Sequence, residues 1–345
     1  MNTKTKNAAN GNVRIVFIVL TAILFCTNCS KEKEESTISP YIEGLSIDNY
    51  PVIDGSTSTL PLNVVIACEL MGLNYKWQEN SISQWASNWS IEPQIGSSLR
   101  KKFDKVVKSS QTHNSFINLI DGNSDIVLTA RTMSPDEKKY AETKGVTLIE
   151  TPIALDAFIF IINPYNPFEE LTTEDIQNIY TGKVTTWEEL GWFDFPRGDW
   201  YPEWLPTDIA PFIRNPNSGS QELMDLLVMN GLEYYKELPI YEEALILTMM
   251  GLIDAIVRET YSIGYTVYFY NEYIIRPGQD LKTIGIDGVF PNKETISKRS
   301  YPYTTEVYAV IRSDTDKSSM AYKIYEWLQT VDGRKAISKS GYILN

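Results

Sequence analysis

Short apolar runs alternate along this chain with segments whose apolar residues recur at helical spacing. The runs typical of buried strands are at residues 52–53, 124–131, 146–152, 157–163, 262–269, 284–291 and 307–311. The helical patterns are at residues 61–70, 112–120, 172–180, 186–189, 218–229, 250–259 and 318–331. Because strands that alternate with helices usually form a parallel sheet, the sequence predicts an α/β fold whose ligands bind beyond the carboxyl ends of the strands.

Residues 153–156 separate two of the strand-like runs near the middle of the chain. With 345 residues, the chain is long enough for two domains. We therefore interpret residues 153–156 as the crossover from one domain to the other.

Two segments are rich in aromatic residues. Residues 77–95 contain three tryptophans, and they are either an insertion packed on the surface or a cover over a site. Residues 191–212 contain three tryptophans and four prolines. This second segment is either a flap that binds a partner or a glycan, or a long loop folded onto its own aromatic side chains.

The first residues have the pattern of an export signal. Three basic residues precede an apolar run at residues 15–25, which is short for a helix that spans a bilayer. The stretch that follows resembles a bacterial lipoprotein leader in which Cys29 is the lipidated residue. We expect residues 1–28 to be the signal peptide and residues 29–49 a tether. The protein would then be an exported lipoprotein of the cell envelope, attached to a membrane on its periplasmic face or outer surface.

Charge and composition argue against several classes of function. The formal net charge is −13 and the pI is about 4.7, whereas nucleic-acid binding depends on clustered Lys and Arg that neutralise phosphates. The chain has three cysteines and one histidine, His113, with no ligand cluster for a metal. A Ser-His-Asp triad would have to use His113, so histidine-based hydrolase chemistry is disfavoured. We expect no enzyme activity, no cofactor and no nucleic-acid partner.

The stretch at residues 214–223 has the pattern of a loop that turns into a helix. Ser218 followed three residues later by Gln221 is a capping-box pattern, and the first N–H groups of such a helix carry partial positive charge. Ser218 and Ser220 add hydroxyls, Gly219 allows an oxyanion to approach the backbone, and Arg214 supplies a planar, permanently charged fork. The stretch suits a tetrahedral oxyanion; the alternative is an ordinary helix cap with a surface arginine.

Two further helix starts carry hydroxyl groups. At residues 53–61 a short strand leads into a serine-rich loop, with Pro61 in the first turn of the next helix. This is not a P-loop, because no Gly-Lys-Ser/Thr ends it, and a loop of this kind is also compatible with a structural role. The other start is near Thr112, where Thr112 or Asn114 is predicted to cap the helix and His113 to lie in the loop.

Eight stretches occur in an order and spacing that run from about residue 50 to the C-terminus. They are residues 53–61, 124–131, 151–156, 163–167, 180–187, 214–220, 262–265 and 286–289. Together they resemble the substrate-binding proteins of phosphate ABC transporters (PstS-like proteins). The resemblance implies a two-lobed, periplasmic-binding-protein-like (type II) α/β fold, with a hinge and a cleft that encloses phosphate. Lobe I would comprise residues 50–155 and 284–345, and lobe II residues 156–283.

The resemblance also implies which residues bind the anion. They are the hydroxyl of Thr59 and the N–H of Leu60, Thr112, Thr129 to Arg131, and Arg214 with Ser218, Gly219 and Ser220. One position departs from the pattern of some family members, which carry an aspartate that accepts the proton of hydrogen phosphate and excludes sulfate. Here the nearest residue is Ala130, and Arg131 beside it is a candidate second guanidinium.

The function that follows from the resemblance is phosphate binding and delivery. Donors from both lobes would favour a closed state around the anion, and an ABC permease would recognise that state. We expect a monomer. The alternatives are a receptor or sensor for another oxyanion such as sulfate or molybdate, a phosphoryl-transfer enzyme that uses Ser218 or Ser220 as nucleophile, and an adhesion or glycan-binding module that uses the aromatic flap.

Overall fold

A computed structural model describes residues 39–81, 87–191, 208–236, 238, 249–276 and 281–345. The predictions for the signal peptide, for Cys29, for the start of the tether and for most of the 191–212 segment concern residues outside these ranges. Residues 39–49, which the sequence assigned to the tether, bury Ile42, Leu45 and Ile47 and therefore belong to the folded part. Within the described ranges no helix is long and apolar enough to cross a membrane.

Strands and helices alternate along the described chain. The strands are β1 (Ile53–Gly55), β2 (Tyr75–Ser81), β3 (Ser87–Pro93), β4 (Ile126–Thr129), β5 (Leu148–Ile162), β6 (Glu170–Leu171), β7 (Ala210–Pro211), β8 (Ser262–Val267), β9 (Lys282–Thr283), β10 (Gly285–Ile286) and β11 (Thr304–Arg312). The helices are α1 (Leu60–Met71), α2 (Ser97–Val106), α3 (Thr112–Ile120), α4 (Pro135–Lys144), α5 (Thr173–Tyr180), α6 (Gly219–Leu223), α7 (Met249–Arg258), α8 (Lys293–Ser297), α9 (Met320–Trp327) and α10 (Val331–Ser340). A 3-10 turn spans Glu188–Leu190, and π-helical turns span Met224–Met229 and Tyr270–Ile275.

Several helices begin where local sequence signals predict. Pro61 lies in the first turn of α1, and Thr172 forms a capping box with Asp175 at the start of α5. The terminal helix differs from the prediction, because the 318–331 pattern gives α9 and a second helix, α10, follows it. Thr330 begins that second helix by accepting a hydrogen bond from the N–H of Gly333.

The main sheet is mixed, so the prediction of a parallel sheet is wrong. Its strand order is β1-β4-β11-β5-β8-β7, and β9 also pairs with β5. The pairs β1–β4 and β7–β8 are parallel, whereas β11 runs antiparallel to both of its neighbours and β5 runs antiparallel to β8. The physical reason is that β11 comes from near the C-terminus and inserts between β4 and β5. The local alternation of strands and helices carries no information about such a long-range pairing.

The longest strand, β5, connects the two halves of this sheet. Its first part pairs with β11 as far as Ala157, and its last part, from Phe158 onward, pairs with β8. Residues 153–156 continue the strand, so no break separates the two predicted runs. The register with β11 shifts beside Pro152, which lacks the N–H that a regular ladder needs and is accommodated by this irregularity.

Asp156 lies on β5 next to the point at which the strand stops pairing with β11 and begins to pair with β8. It is 1 % exposed. Its Oδ1 accepts hydrogen bonds from the N–H of Ala157, at 2.8 Å, and of Phe269, at 2.9 Å, just beyond β8. Among the described residues Oδ2 has no hydrogen-bond partner. Burial raises the pKa of the Asp156 carboxyl to about 7, although the two N–H donors act in the opposite direction.

Asp156→Asn is expected to make stability less dependent on pH. The carboxyl has an ordinary pKa of 3.8, and the folded protein raises it to about 7, so the folded state binds this proton more tightly than the unfolded chain. The resulting stabilisation is complete below about pH 3.8 and is lost as the pH rises through about 7. At about 1.4 kcal/mol per pKa unit, the loss is on the order of 4 kcal/mol.

Urea unfolding of the wild type and of Asp156→Asn at pH 4, 6 and 8 measures this effect. The difference between the two free energies of unfolding should shift in favour of the variant as the pH rises. A difference that stays constant across the three pH values would contradict the raised pKa.

The tryptophan-rich segment at residues 77–95 forms the hairpin of β2 and β3. The guanidinium carbon of Arg276 lies 3.8 Å from the ring centroid of Trp89 and 5.1 Å from that of Trp77. Trp77 also stacks on Tyr273 with ring centroids 6.1 Å apart. None of these side chains lines the cavity described below. The described part of the segment is therefore packed against residues 270–276 and does not cover that cavity.

Candidate anion-binding site

A cavity enclosing about 490 Å³ of space, part of it open to solvent, lies where several loops meet. Its lining residues are Ser56, Thr57, Ser58, Gln111, Thr112, Ala130, Arg131, Arg214, Gly219, Ser220, Leu223 and Val267. Most of them follow the carboxyl ends of β1, β4 and β7, and Val267 is the last residue of β8. The cavity thus lies at the carboxyl ends of the two parallel strand pairs, which is where open α/β sheets bind ligands.

Five of the nine anion-binding residues proposed from the sequence line this cavity: Thr112, Arg131, Arg214, Gly219 and Ser220. They come from segments far apart in the chain, and the structure brings them together. The other four, Thr59, Leu60, Thr129 and Ser218, are near neighbours of lining residues but are not in the lining.

Arg214 is a buried guanidinium at the cavity wall, with only 7 % of the residue exposed. Its Nη1 donates to Ser220 Oγ at 2.9 Å, which ties the arginine to the start of α6. Burial lowers the pKa of Arg214, and Tyr265 and Tyr270 act in the opposite direction. Because arginine titrates so far above neutrality, the side chain keeps its charge. A buried, fixed cation of this kind favours an anionic ligand.

Gly219 allows two helix starts to approach each other across the cavity. A Cβ built on Gly219 would lie 2.6 Å from Oγ1 of Thr112, closer than side chains tolerate. Thr112 is the first residue of α3, and the residue before it, Gln111, provides no side-chain cap. Neither Thr112 nor Asn114 caps the helix as the sequence predicted. Among the described residues, the first N–H groups of α3 therefore have no side-chain cap, which leaves them suited to an anion.

Arg131 is held by a buried carboxylate. Its Nη1 and Nη2 donate to the two carboxylate oxygens of Glu137 at 2.7 and 2.8 Å, and Glu137 is fully buried. His113, predicted as a loop residue, lies in the first turn of α3 with its Nδ1 3.0 Å from Glu137 Oε1. Arg131 Nε has no hydrogen-bond partner among the described residues. One N–H of Arg131 is therefore buried without a partner among the described residues, and Glu137 largely balances its charge.

Thr59 and Leu60 shape the first loop without lining the cavity. Thr59 is the N-cap residue of α1, and its Oγ1 donates to the carbonyl of Leu128 in β4 at 2.7 Å. Leu60 is the first helical residue and is partly buried. The hydroxyl of Thr59 is thus engaged with the neighbouring strand, and the residues of this loop that line the cavity are Ser56, Thr57 and Ser58.

Thr129 and Ser218 have comparable structural roles. Thr129 Oγ1 donates to the carbonyl of Arg131 and turns the chain after β4. Ser218 Oγ accepts from the N–H of Gln221 at 3.3 Å and caps α6, as predicted. The reciprocal half of the capping box does not form among the described contacts, because the Gln221 side chain bonds to other groups.

Sequence reasoning missed several lining residues. The serine-rich loop was recognised, but Ser56, Thr57 and Ser58 were not assigned to the site. Gln111 has φ of 70°, a conformation that non-glycine residues seldom adopt, and no sequence signal marks it. Leu223 and Val267 supply an apolar wall that lowers the local dielectric and strengthens charge-assisted hydrogen bonds.

The chemistry of the lining is that of an anion site. It contains two guanidinium groups, several hydroxyls and an uncapped helix start, and no carboxylate is among the lining residues. Glu137 contacts Arg131 but is not itself in the lining. In the same part of the chain, no group of three or more His, Cys, Asp or Glu side chains is placed to hold a metal ion.

Comparisons with known proteins identify the family of this chain. The family model of the PBP superfamily domain matches residues 73–330. The protein SphX of Synechocystis is 24 % identical over 256 residues, which is 71 % of this chain and 70 % of that protein. The phosphate-binding protein PstS of Staphylococcus saprophyticus is 23 % identical over 238 residues, which is 68 % of this chain and 69 % of that protein.

A solved structure has a similar fold. The ABC-type phosphate transport receptor of Vibrio cholerae superimposes with a TM-score of 0.56 at 18 % sequence identity, covering 86 % of this chain and 100 % of that one. The predicted two-lobed α/β binding-protein fold is therefore confirmed, with the mixed sheet described above. With the family model matching most of the chain, the protein belongs to the PBP superfamily.

Proposed function

We propose that this protein binds inorganic phosphate in the cavity and presents it to an ABC permease for uptake. The proposal rests on one observation: two buried arginines, an uncapped helix start and several hydroxyl-bearing residues line the same cavity. The names of its relatives support it, because a phosphate-binding protein and a phosphate transport receptor are among them. It acts as a binding protein, without catalysis, and as a monomer.

The binding mechanism is neutralisation of a desolvated anion by fixed donors. Arg214 supplies charge, Arg131 places a second guanidinium at the cavity wall, and the first turn of α3 supplies backbone N–H groups. Each charge-assisted hydrogen bond contributes roughly 1.5–3 kcal/mol. Ser220 and Gly219 complete the site from α6. The hydroxyls of Ser56, Thr57 and Ser58 bond to the anion in place of the Thr59 hydroxyl that the sequence indicated.

Closure of two lobes around the anion is part of the proposal. With lobe I at residues 50–155 and 284–345 and lobe II at 156–283, the donors come from both lobes. At the cavity, contacts between described residues already join the two sides: Arg131 Nη2 donates to the carbonyl of Asn217 at 3.4 Å, and Thr112 approaches Gly219. An anion that bonds to both sides favours the closed form by its differential affinity, and the closed form is the signal for the permease.

A second candidate ligand class is the fully ionised oxyanion, with sulfate as the simplest member. The observation that favours it is the absence of a carboxylate among the lining residues of the described chain. A carboxylate would accept the proton of hydrogen phosphate and repel sulfate, and Ala130 stands where such a residue would be expected. Hydroxyl groups can donate or accept, so they discriminate less between the two anions.

Calorimetric titration of the full chain with phosphate, with sulfate and with phosphate in the presence of excess sulfate tests the proposal. We expect phosphate to bind with 1:1 stoichiometry and sulfate to compete measurably. Tight binding of sulfate without binding of phosphate would show that the ligand is a fully ionised oxyanion, the second candidate. Binding of neither anion would refute an oxyanion site.

Export and membrane attachment complete the proposed role. Lipidation of Cys29 would hold the binding protein at the membrane that contains its permease, on the periplasmic face or at the outer surface. Fractionation of cells that produce the wild type or Cys29→Ala tests the anchor, since only the variant should be released into the soluble fraction.

A further inference from the structure

Gln221 lies behind the cavity wall, and its side-chain amide has every hydrogen-bonding position occupied. Oε1 accepts from the backbone N–H of Arg214 at 2.9 Å and from the hydroxyl of Tyr265. Nε2 donates to Asp225 Oδ1 and to the hydroxyl of Tyr234, both at 2.9 Å. An amide has two acceptor and two donor positions, so this one is fully satisfied and its orientation is fixed.

The hydrogen bonds of Gln221 and Arg214 connect the two ends of the loop formed by residues 214–221. The side chain of Gln221 holds the main chain of Arg214, and Arg214 Nη1 bonds to Ser220, which directly precedes Gln221 in α6. Tyr265 also accepts from the N–H of Arg214 at 3.0 Å. The eight residues from Arg214 to Gln221 thus form a ring that is cross-linked through backbone and side chain.

We infer that Gln221 is a positioning residue that holds Arg214 in place for the anion before the anion arrives. This inference rests on the proposed oxyanion function, although the positioning itself exists in the free protein. Gln221 is 5 % exposed and does not line the cavity, so it acts through Arg214 and not by touching the ligand.

The outer members of the network keep the amide in this orientation. Asp225 Oδ1 accepts hydrogen bonds from Gln221 Nε2 and from Tyr234, so the amide nitrogen must face outward and its oxygen inward. Burial raises the pKa of both Tyr234 and Tyr265, so each hydroxyl keeps its proton as a donor. A loop fixed in its binding conformation avoids the entropy cost of ordering when the ligand binds.

The test begins with the ligand-free protein. Gln221→Met keeps the length of the side chain and removes its polar atoms. Amide hydrogen exchange at Arg214 should be at least tenfold faster in this variant than in the wild type. Gln177→Met is the matched control, because Gln177 Nε2 donates to the carbonyl of Val228 on the helix that continues from α6, at 2.7 Å, without contact to Arg214. This control should leave exchange at Arg214 unchanged.

Calorimetry with phosphate tests the consequence for binding, well below the melting temperature of each variant. Gln221→Met should raise the dissociation constant about tenfold or more, and Gln177→Met less than twofold. In an Arg214→Met background, adding Gln221→Met should change the dissociation constant less than twofold while still lowering the melting temperature. Such non-additivity would not arise if Gln221 were only a packing residue.

The outcomes separate this inference from the proposed function. Unchanged exchange at Arg214 in Gln221→Met, or an undiminished effect in the Arg214→Met background, would overturn the inference. If the wild type does not bind phosphate, the proposed function fails, and the exchange experiment alone decides whether Gln221 positions Arg214. If Gln221→Met does not fold, Tyr234→Phe removes only an outer anchor, and it should accelerate exchange at Arg214 about threefold.

Discussion

Arg214→Met is expected to raise the dissociation constant for phosphate by about 10- to 150-fold, because a hydrogen bond to a charged group contributes roughly 1.5–3 kcal/mol. Methionine occupies a similar volume without charge or donors, so the loss is one of electrostatics and hydrogen bonding. Arg214 is 7 % exposed, which means that solvent screens its interaction with an anion poorly. Calorimetric titration with phosphate at constant ionic strength is the measurement.

Arg258→Met is the matched control for this substitution. The side chain of Arg258 is 77 % exposed and pairs with Asp254 on the same helix, away from the cavity lining. It should leave the dissociation constant within about twofold of the wild-type value. If Arg214→Met binds phosphate as tightly as this control, the anion does not bind at the cavity assigned to it.

Glu137→Gln is expected to lower the free energy of unfolding by about 3–5 kcal/mol, because it leaves the buried guanidinium of Arg131 without its countercharge. Both carboxylate oxygens are used in the wild type: they accept from Arg131, and Oε2 also accepts from the N–H of Ser134 at 2.7 Å. Glutamine can replace some of these acceptors but not the charge. Urea unfolding without added anion measures the loss.

An exposed ion pair provides the comparison for Glu137→Gln. Glu294 pairs with Lys298 on the surface, with side chains 72 % and 68 % exposed. Exposed pairs contribute about 0–1 kcal/mol, so Glu294→Gln should have a small effect. Equal losses for the two substitutions would mean that the Arg131–Glu137 pair contributes no more than a solvated one.

Local signals were sufficient to place several helix starts, two of them at the site. Pro61, Thr172 and Ser218 mark the helix starts at which the structure has them, because capping involves residues only a few positions apart. The α/β class followed from the alternation of strands and helices, and the ordered motifs indicated the family. At the site, Arg214 could be selected because charge, serine and glycine residues occur within one short stretch.

Pairings that no local period or capping motif encodes could not be predicted in the same way. The insertion of β11 between β4 and β5 depends on pairing across about half of the chain, which no local period encodes. Glu137 gives no sign in the sequence that it will pair with Arg131, since both could be exposed charges. Gln221 was predicted to cap its own helix, but its amide bonds instead to four other groups, one of which, the hydroxyl of Tyr265, is 44 residues away.

The position of β11 has a consequence for how the chain acquires its structure. This strand spans Thr304–Arg312 and is central in the sheet, so a nascent polypeptide that ends before it lacks the connection between β4 and β5. Contacts of such long sequence separation form late, because the closure entropy of the intervening loop opposes them until the strand is available. Completion of the central sheet therefore awaits synthesis of β11, within about the last tenth of the chain.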